Sequence, residues 1–148
     1  MSIPLSELTS GNLSLSEALE RVDRFQKPKL KTLTLGEVGR VLWATQGVTK
    51  RNSGRIYPLR SAPSAGGLYP LEVYVATDAR GVEGLSEGVY HYDPVKVRLN
   101  FVKRGDYVAE ITKLLSAEDK ECSIYLIICA IYSRTTSKYG ERGIMYVH

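Results

Sequence analysis

The segment Arg60-Ser61-Ala62-Pro63-Ser64-Ala65-Gly66-Gly67-Leu68-Tyr69-Pro70 has the composition of a ligand-binding loop. Small residues let backbone amides come close to a ligand, and a helical turn starting near Ser64 would aim its dipole at an anion. Arg60 could add a bidentate contact to that anion. The surrounding stretch has no acidic residue between Glu37 and Glu72, yet it carries Arg40, Lys50, Arg51, Arg55 and Arg60. The same residues also read as a solvated basic loop with a glycine turn, because a short glycine-rich motif is a weak signal by itself.

Other chemistries find less support. The 2 histidines, and the 2 cysteines Cys122 and Cys129 at Cys-x6-Cys spacing, make no zinc pattern, so no metal is expected. His91 lies between Tyr90 and Tyr92 and reads as a strand residue on the opposite face from both, not as a ligand. Cys129 lies in an apolar run and reads as core, with Cys122 at its edge. With no signal peptide in view, both read as reduced thiols of a cytoplasmic protein.

The elements that must hold the loop follow from periodicity. Ser14-Leu15-Ser16-Glu17 is a capping box, followed by Leu15, Ala18, Leu19 and Val22 at helical spacing, which predicts a helix over about residues 15–24. Residues 1–13 read as an introductory segment, and the proline and lysines of 26–31 as a linker. A second box, Thr34-Leu35-Gly36-Glu37, opens a helix with Leu35, Val38, Val41 and Leu42 on its apolar stripe and Gly47 at its end. Residues 48–70 read as one long loop. Strands are expected at 72–77, 89–92 and 97–102, the last two joined as a hairpin across Asp93-Pro94-Val95-Lys96. Asp106 can cap a helix bearing Val108, Ile111, Leu114 and Leu115. Residues 123–132 read as a buried strand, and Tyr139 to His148 as the start of another helix. The order predicts an α+β fold with a mainly antiparallel sheet.

Composition bounds the rest. The chain has 148 residues, 24% charged and 43% hydrophobic, with a net charge of +4. That is one soluble globular domain, able to bury roughly 68–70% of its unfolded surface. The apolar run from Ile124 to Tyr132 is far shorter than the roughly 20 residues that span a bilayer. Nucleic acid is not required by so modest a charge, and a basic nucleic-acid binder would rest on the loop charges alone. The 10 tyrosines against 2 phenylalanines suit strand faces better than base stacking.

Four motifs in order carry a family resemblance. They are Leu42-Trp43-Ala44-Thr45-Gln46-Gly47, the segment from Arg60 to Val75, Gly88-Val89-Tyr90-His91-Tyr92-Asp93-Pro94, and Arg134 with Lys138-Tyr139-Gly140-Glu141-Arg142. Together they resemble the nitroreductase-like flavoproteins, and more narrowly their SagB-type dehydrogenase branch, over about residues 14–148. The resemblance implies a nitroreductase-like fold, FMN at a homodimer interface, and Ser64, Ala65 and Gly66 against the flavin, with Arg60 and Ser61 beside them. An early Arg-Arg-Ser-x-Arg run holds the FMN phosphate in many relatives. Its counterpart here is Arg21-Val22-Asp23-Arg24, which keeps Arg21 and Arg24 at their spacing but lacks the serine and adds Asp23.

The resemblance also gives Lys138 and Tyr139 a role. Hydride transfer belongs to the cofactor, while the protein supplies orientation and proton transfer, for which tyrosine or lysine can serve. In the branch that oxidises thiazoline and oxazoline rings of modified peptides, a Lys-Tyr pair at this motif assists aromatisation. The generic alternative is NAD(P)H-dependent reduction of nitro compounds or quinones. Read without the resemblance, Lys138 and Tyr139 are surface residues, and Arg134 and Arg142 pair with Glu141 or cap the last helix. The family's chain continues past the point matched by His148, so a single incomplete domain over 1–148 is expected. A fragment that binds FMN weakly or not at all is the alternative to an active enzyme.

Overall fold

The computed structural model describes residues 1–5, 14, 16–17, 31–51, 58–115 and 122–148. Of the expected helix over 15–24 only Ser16 and Glu17 are described, both helical; Arg21, Arg24 and the loop residue Arg55 lie outside the described residues, as does most of the linker. The Ser14–Glu17 box is seen: the Ser14 amide donates to Glu17 Oε2 at 2.9 Å, and the Glu17 amide donates to Ser14 Oγ at 3.2 Å.

In chain order the described elements are β1 (Ser2–Pro4), α1 (Leu35–Gln46), β2 (Val48–Lys50), β3 (Leu59–Arg60), a 3-10 turn (Ala65–Gly67), β4 (Leu71–Thr77), β5 (Gly88–Asp93), β6 (Arg98–Lys103), α2 (Tyr107–Leu114), β7 (Ile124–Ala130), α3 (Ser133–Tyr139) and α4 (Arg142–Met145). Five strands form one sheet in the order β1-β6-β5-β4-β7, with antiparallel neighbours throughout. The expected α+β class with an antiparallel sheet is what the chain adopts.

Helix α1 begins where its capping box demands. The Thr34 amide donates to Glu37 Oε2 and the Glu37 amide to Thr34 Oγ1, so two otherwise free donors are satisfied. Val38 and Leu42 are fully buried against Val73, Val75, Tyr90, Tyr92 and Leu99 of the sheet. Period-two alternation puts Val73 and Val75 of β4 on this core face, with Tyr90 and Tyr92 of β5. Glu72, Tyr74 and His91 take the other face, and Tyr74 stands opposite His91 in the ladder. His91 therefore lies away from the two tyrosines, as the alternation requires.

Several expectations need correction. The introductory segment contributes a sheet strand: β1 pairs with β6, Ile3 opposite Leu99. The long loop after α1 is interrupted by the β2–β3 ladder. Val41 is turned outward, so the buried stripe of α1 is Val38, Gly39, Leu42 and Gln46. Val97 sits in the hairpin turn with φ 51°, not in the strand. Asp106 does cap α2, but only Val108 is buried there, and Leu114 is 82% exposed. The apolar strand β7 is an outer strand of the sheet, not an interior one, with Ile128 60% exposed and Cys129 exposed. The last helical stretch begins earlier than Tyr139 and is split at Gly140, whose φ of 58° ends α3.

Candidate active site at the glycine turn

Pro63 and the extended Ser64 (φ −147°) lead into the 3-10 turn at Ala65–Gly67. Gly66 and Gly67 both lie in the left-handed region, at φ 64° and 69°. Any other residue would be strained there. The turn closes with Gly67 N–H on the Ser64 carbonyl at 3.0 Å and Leu68 N–H on the Ala65 carbonyl at 3.4 Å. Ser64 Oγ accepts the Tyr69 amide at 2.8 Å, and Ser61 Oγ donates to the Trp43 carbonyl at 3.0 Å. Both serine hydroxyls thus hold the loop in shape.

Tyr69 adopts φ 46°, a conformation rare for a tyrosine, and its own amide, hydroxyl and carbonyl are all hydrogen-bonded. Its hydroxyl accepts the Arg60 amide at 3.0 Å, and its carbonyl accepts Arg134 Nη1 at 2.8 Å. The Arg60 guanidinium stacks on its ring at 4.5 Å. Arg60 Nη1 donates to Gln46 Oε1 at 2.9 Å, and Gln46 is 5% exposed. Arg60 therefore turns inward to the end of α1, and its Nε, like the buried Tyr92 hydroxyl, has no partner among the described residues. Burial pushes the Arg60 guanidinium below its ordinary value, opposed by Glu72. Burial likewise raises the Tyr92 phenol.

At the first residue of β4's outward face, Glu72 joins a guanidinium and an imidazole. Oε1 meets Arg134 Nη2 at 2.5 Å and Oε2 meets His91 Nε2 at 2.6 Å. Partial burial pushes this carboxyl up, but the hydrogen bonds from His91 and Arg134 outweigh it and hold the group below the usual carboxylate range. Arg60, Leu68, Tyr69, Glu72 and Arg134 line a cavity of about 180 Å³. Arg134 pairs with Glu72, not with Glu141 as its neighbours in sequence suggested.

From the other side comes α3, whose last turn carries Lys138 and Tyr139. A Cβ added to Gly66 would stand 2.5 Å from Tyr139 Oη and 3.0 Å from Lys138 Nζ. The Tyr139 ring is braced edge-on by Tyr146, with centroids 4.9 Å apart. Lys138 Nζ lies 5.3 Å from the centre of the same ring. Helix α4 packs so closely on α3 that a Cβ on Gly143 would lie 2.6 Å from the Thr135 and Thr136 backbone.

Of the residues singled out by sequence, Arg60, Ser61, Ser64, Ala65, Gly66, Lys138 and Tyr139 are thus gathered around one turn. Tyr69, Glu72, His91, Arg134 and Gln46 were not singled out as site residues. All five lie within the matched motifs, which is the one sequence signal that marked them. A phenol and an ammonium beside a side-chain-free backbone turn can bind a polar ring edge and exchange a proton with it. Among the described residues, no group of three His, Cys, Asp or Glu side chains could hold a metal ion. No helix of the described residues is long and apolar enough to cross a membrane.

No protein-family model matches the chain. A nitroreductase-type protein of Methanocaldococcus jannaschii is 41% identical over 119 residues, which are 78% of this chain and 56% of the relative. This chain thus spans little more than half the length of that relative. Among solved structures, a nitroreductase-type protein of Anabaena variabilis superposes with a TM-score of 0.65 at 30% identity, over 76% of this chain and 24% of its own. One from Ralstonia eutropha gives 0.73 at 23% identity, over 99% and 63%. A chain of the Escherichia coli microcin synthetase McbBCD complex, solved with truncated pro-MccB17 bound, gives 0.62 at 22% identity, over 95% and 55%. The architecture described above and these likenesses together give the chain a nitroreductase-like fold, and its sequence supports kinship with nitroreductase-like proteins over the part of them that it spans.

Proposed function

We propose that this chain is part of an FMN-dependent oxidoreductase in which the flavin rests against the Ala65–Gly67 turn. One observation carries the reading: the glycine turn and the Lys138–Tyr139 pair, distant in sequence, meet at Gly66. The local structure fits a flavin nucleotide in two further respects. Two consecutive glycines at positive φ offer bare backbone to a planar ring, and the buried Arg60 Nε is a donor with no partner among the described residues. The cavity beside Arg60, at about 180 Å³, is smaller than the roughly 300–1,000 Å³ of a small-molecule pocket, so it would take one part of the ligand. The remainder of the site would come from a second protomer in a homodimer, and from Arg21 and Arg24 at the phosphate.

When bound, FMN supplies hydride acceptance and donation. The roles of the chain's own residues follow from their positions. Ala65 and Gly66 would hold the ring through backbone. Ser61 and Ser64 keep the loop in the shape that makes this possible. Arg60 adds positive charge at the edge of the site. Tyr139 Oη and Lys138 Nζ would take or return the proton that accompanies hydride transfer at the substrate. The finer substrate reading is a thiazoline or oxazoline ring of a modified peptide, oxidised by loss of a hydride and a proton. It is supported by the Lys-Tyr pair, and the fold likeness to a synthetase complex with truncated pro-MccB17 bound is compatible with it. NAD(P)H-driven reduction of a nitro compound or quinone is the generic form of the same activity, in a cytoplasmic protein.

Reconstitution tests the reading. The purified protein mixed with FMN should yield a yellow complex that survives gel filtration at dimer mass. Protein that stays colourless under saturating FMN would overturn it and favour a non-catalytic fragment. In a yellow protein, Lys138→Met and Tyr139→Phe separate the two substrate classes. Loss of ring oxidation with retained flavin reduction supports the peptide reading, and no effect on either excludes it.

A further inference from the structure

Helix α3 has only 7 residues, too few to hold its shape or place without tertiary anchors. Its first turn carries Arg134, and both arms of that guanidinium are used: Nη2 on Glu72 Oε1 of β4, and Nη1 on the Tyr69 carbonyl of the glycine loop. Arg134 and Lys138 are four residues apart and so share one face of the helix. The side chain that fastens α3 thus lies directly above the end of α3 that meets Gly66. Glu72 is fixed in turn by His91 on its other oxygen, so the anchor is braced against the middle of the sheet.

We propose that Arg134, oriented by Glu72, is a positioning residue that sets Lys138 and Tyr139 against the Gly66 turn. The proposal rests on the reading of Lys138 and Tyr139 as site residues given above. Arg134 touches the loop through the Tyr69 carbonyl and acts through the geometry of α3. Lysine cannot reproduce both arms of the contact, because an ammonium is a point donor and not a planar fork.

The test follows Tyr139 directly. Ring-13C tyrosine labelling gives its NMR signal, assigned by loss in Tyr139→Phe, and amide exchange reports on Gly67, whose N–H meets the Ser64 carbonyl. In the purified protein, Arg134→Ala should move the Tyr139 signal toward that of free tyrosine. It should also speed exchange of the Gly67 amide about tenfold, as expected for loss of a charge-assisted hydrogen bond that holds the loop. Arg134→Lys should restore part of both. A variant that melts at lower temperature while the Tyr139 signal and glycine exchange stay put would overturn the proposal, leaving an ion pair that only stabilises. Should Arg134→Ala not fold, Glu72→Gln is read by the same two measurements: a shifted signal with faster exchange supports the proposal, and no change in either overturns it. The absorbance of FMN added to each sample is recorded alongside. Colourless wild type would defeat the flavin reading, while the Tyr139 signal still decides the positioning one.

Discussion

Gly66 and Tyr139 share a contact that leaves no room for a side chain: a Cβ at Gly66 would lie 2.5 Å from the phenol oxygen. Non-bonded carbon and oxygen atoms do not approach so closely. Glycine is needed here for space and also for its φ of 64°.

Gly66→Ala should therefore destabilise the protein by about 1–3 kcal/mol, from left-handed backbone strain and from displacing the ends of the Tyr139 and Lys138 side chains. Urea denaturation gives the value. Removing the phenol oxygen relieves the closest contact, so Gly66→Ala with Tyr139→Phe should cost about 1 kcal/mol less than the sum of the single changes. Strict additivity would mean that the two residues do not meet in solution.

Gln46 is the buried acceptor for Arg60 Nη1. Gln46→Leu keeps the volume and removes the acceptor, which leaves a charged donor poorly paired and should cost about 2 kcal/mol. A midpoint in urea unchanged from wild type would show that solvent reaches Arg60 instead.

The two glycines that flank the start of α4 should respond differently to alanine. At Gly140 nothing among the described residues lies within 4 Å of an added Cβ, so only the strain of its backbone (φ 58°, ψ −143°), a region that glycine alone adopts readily, applies, about 1–3 kcal/mol. At Gly143 the Cβ meets backbone atoms of Thr135 and Thr136, which cannot rotate away, and about 2–3 kcal/mol is expected. Thermal melts of the two variants, compared side by side, check the order.

Acid should weaken the fold through two carboxylates. The Lys31 ammonium, 2.6 Å away, together with the amide and hydroxyl of Thr34, holds Glu37 down to about 2. Glu72 is lowered as well, by His91 and Arg134 against its burial. The folded chain binds fewer protons than the unfolded chain in this window, so the stabilisation is present above the ordinary value of 4.5 and is lost as pH falls below it. Thermal unfolding recorded from about pH 5 to about pH 2 should show a falling Tm, with a shallower slope in Glu72→Gln. A Tm flat across that range would contradict the assignment.

Local chemistry made part of this molecule legible in its sequence. Thr34 and Glu37 announce the start of α1 because capping is a matter of four adjacent residues. Asp93 announces the hairpin for the same reason, accepting the amides of Val95 and Lys96. Ser64 and the paired glycines fix a turn wherever they occur. Ser2–Pro4 carries no such sign, since three residues show no alternation and their place depends on β6. Cys129 reads as core and is exposed, because an apolar run looks the same in an interior strand and in an outer one. The Glu72–Arg134 pair is a tertiary event between segments far apart in the chain, and no local rule reaches it. Lys138 and Tyr139 stand out through the family resemblance, not through their own pattern.

The route by which Arg134 reaches the Tyr69 carbonyl, across 65 residues of sequence, also bears on how the chain acquires its site in time. Contacts between distant segments form after nearby ones, because the intervening chain must first lose its freedom. The β5–β6 hairpin can form as soon as its turn closes, but the Tyr69 carbonyl lacks its Arg134 partner until α3 arrives. During synthesis the glycine turn leaves the ribosome well before Arg134 does. The loop is therefore made early and shaped late, and the site should be among the last parts of the fold to become ordered.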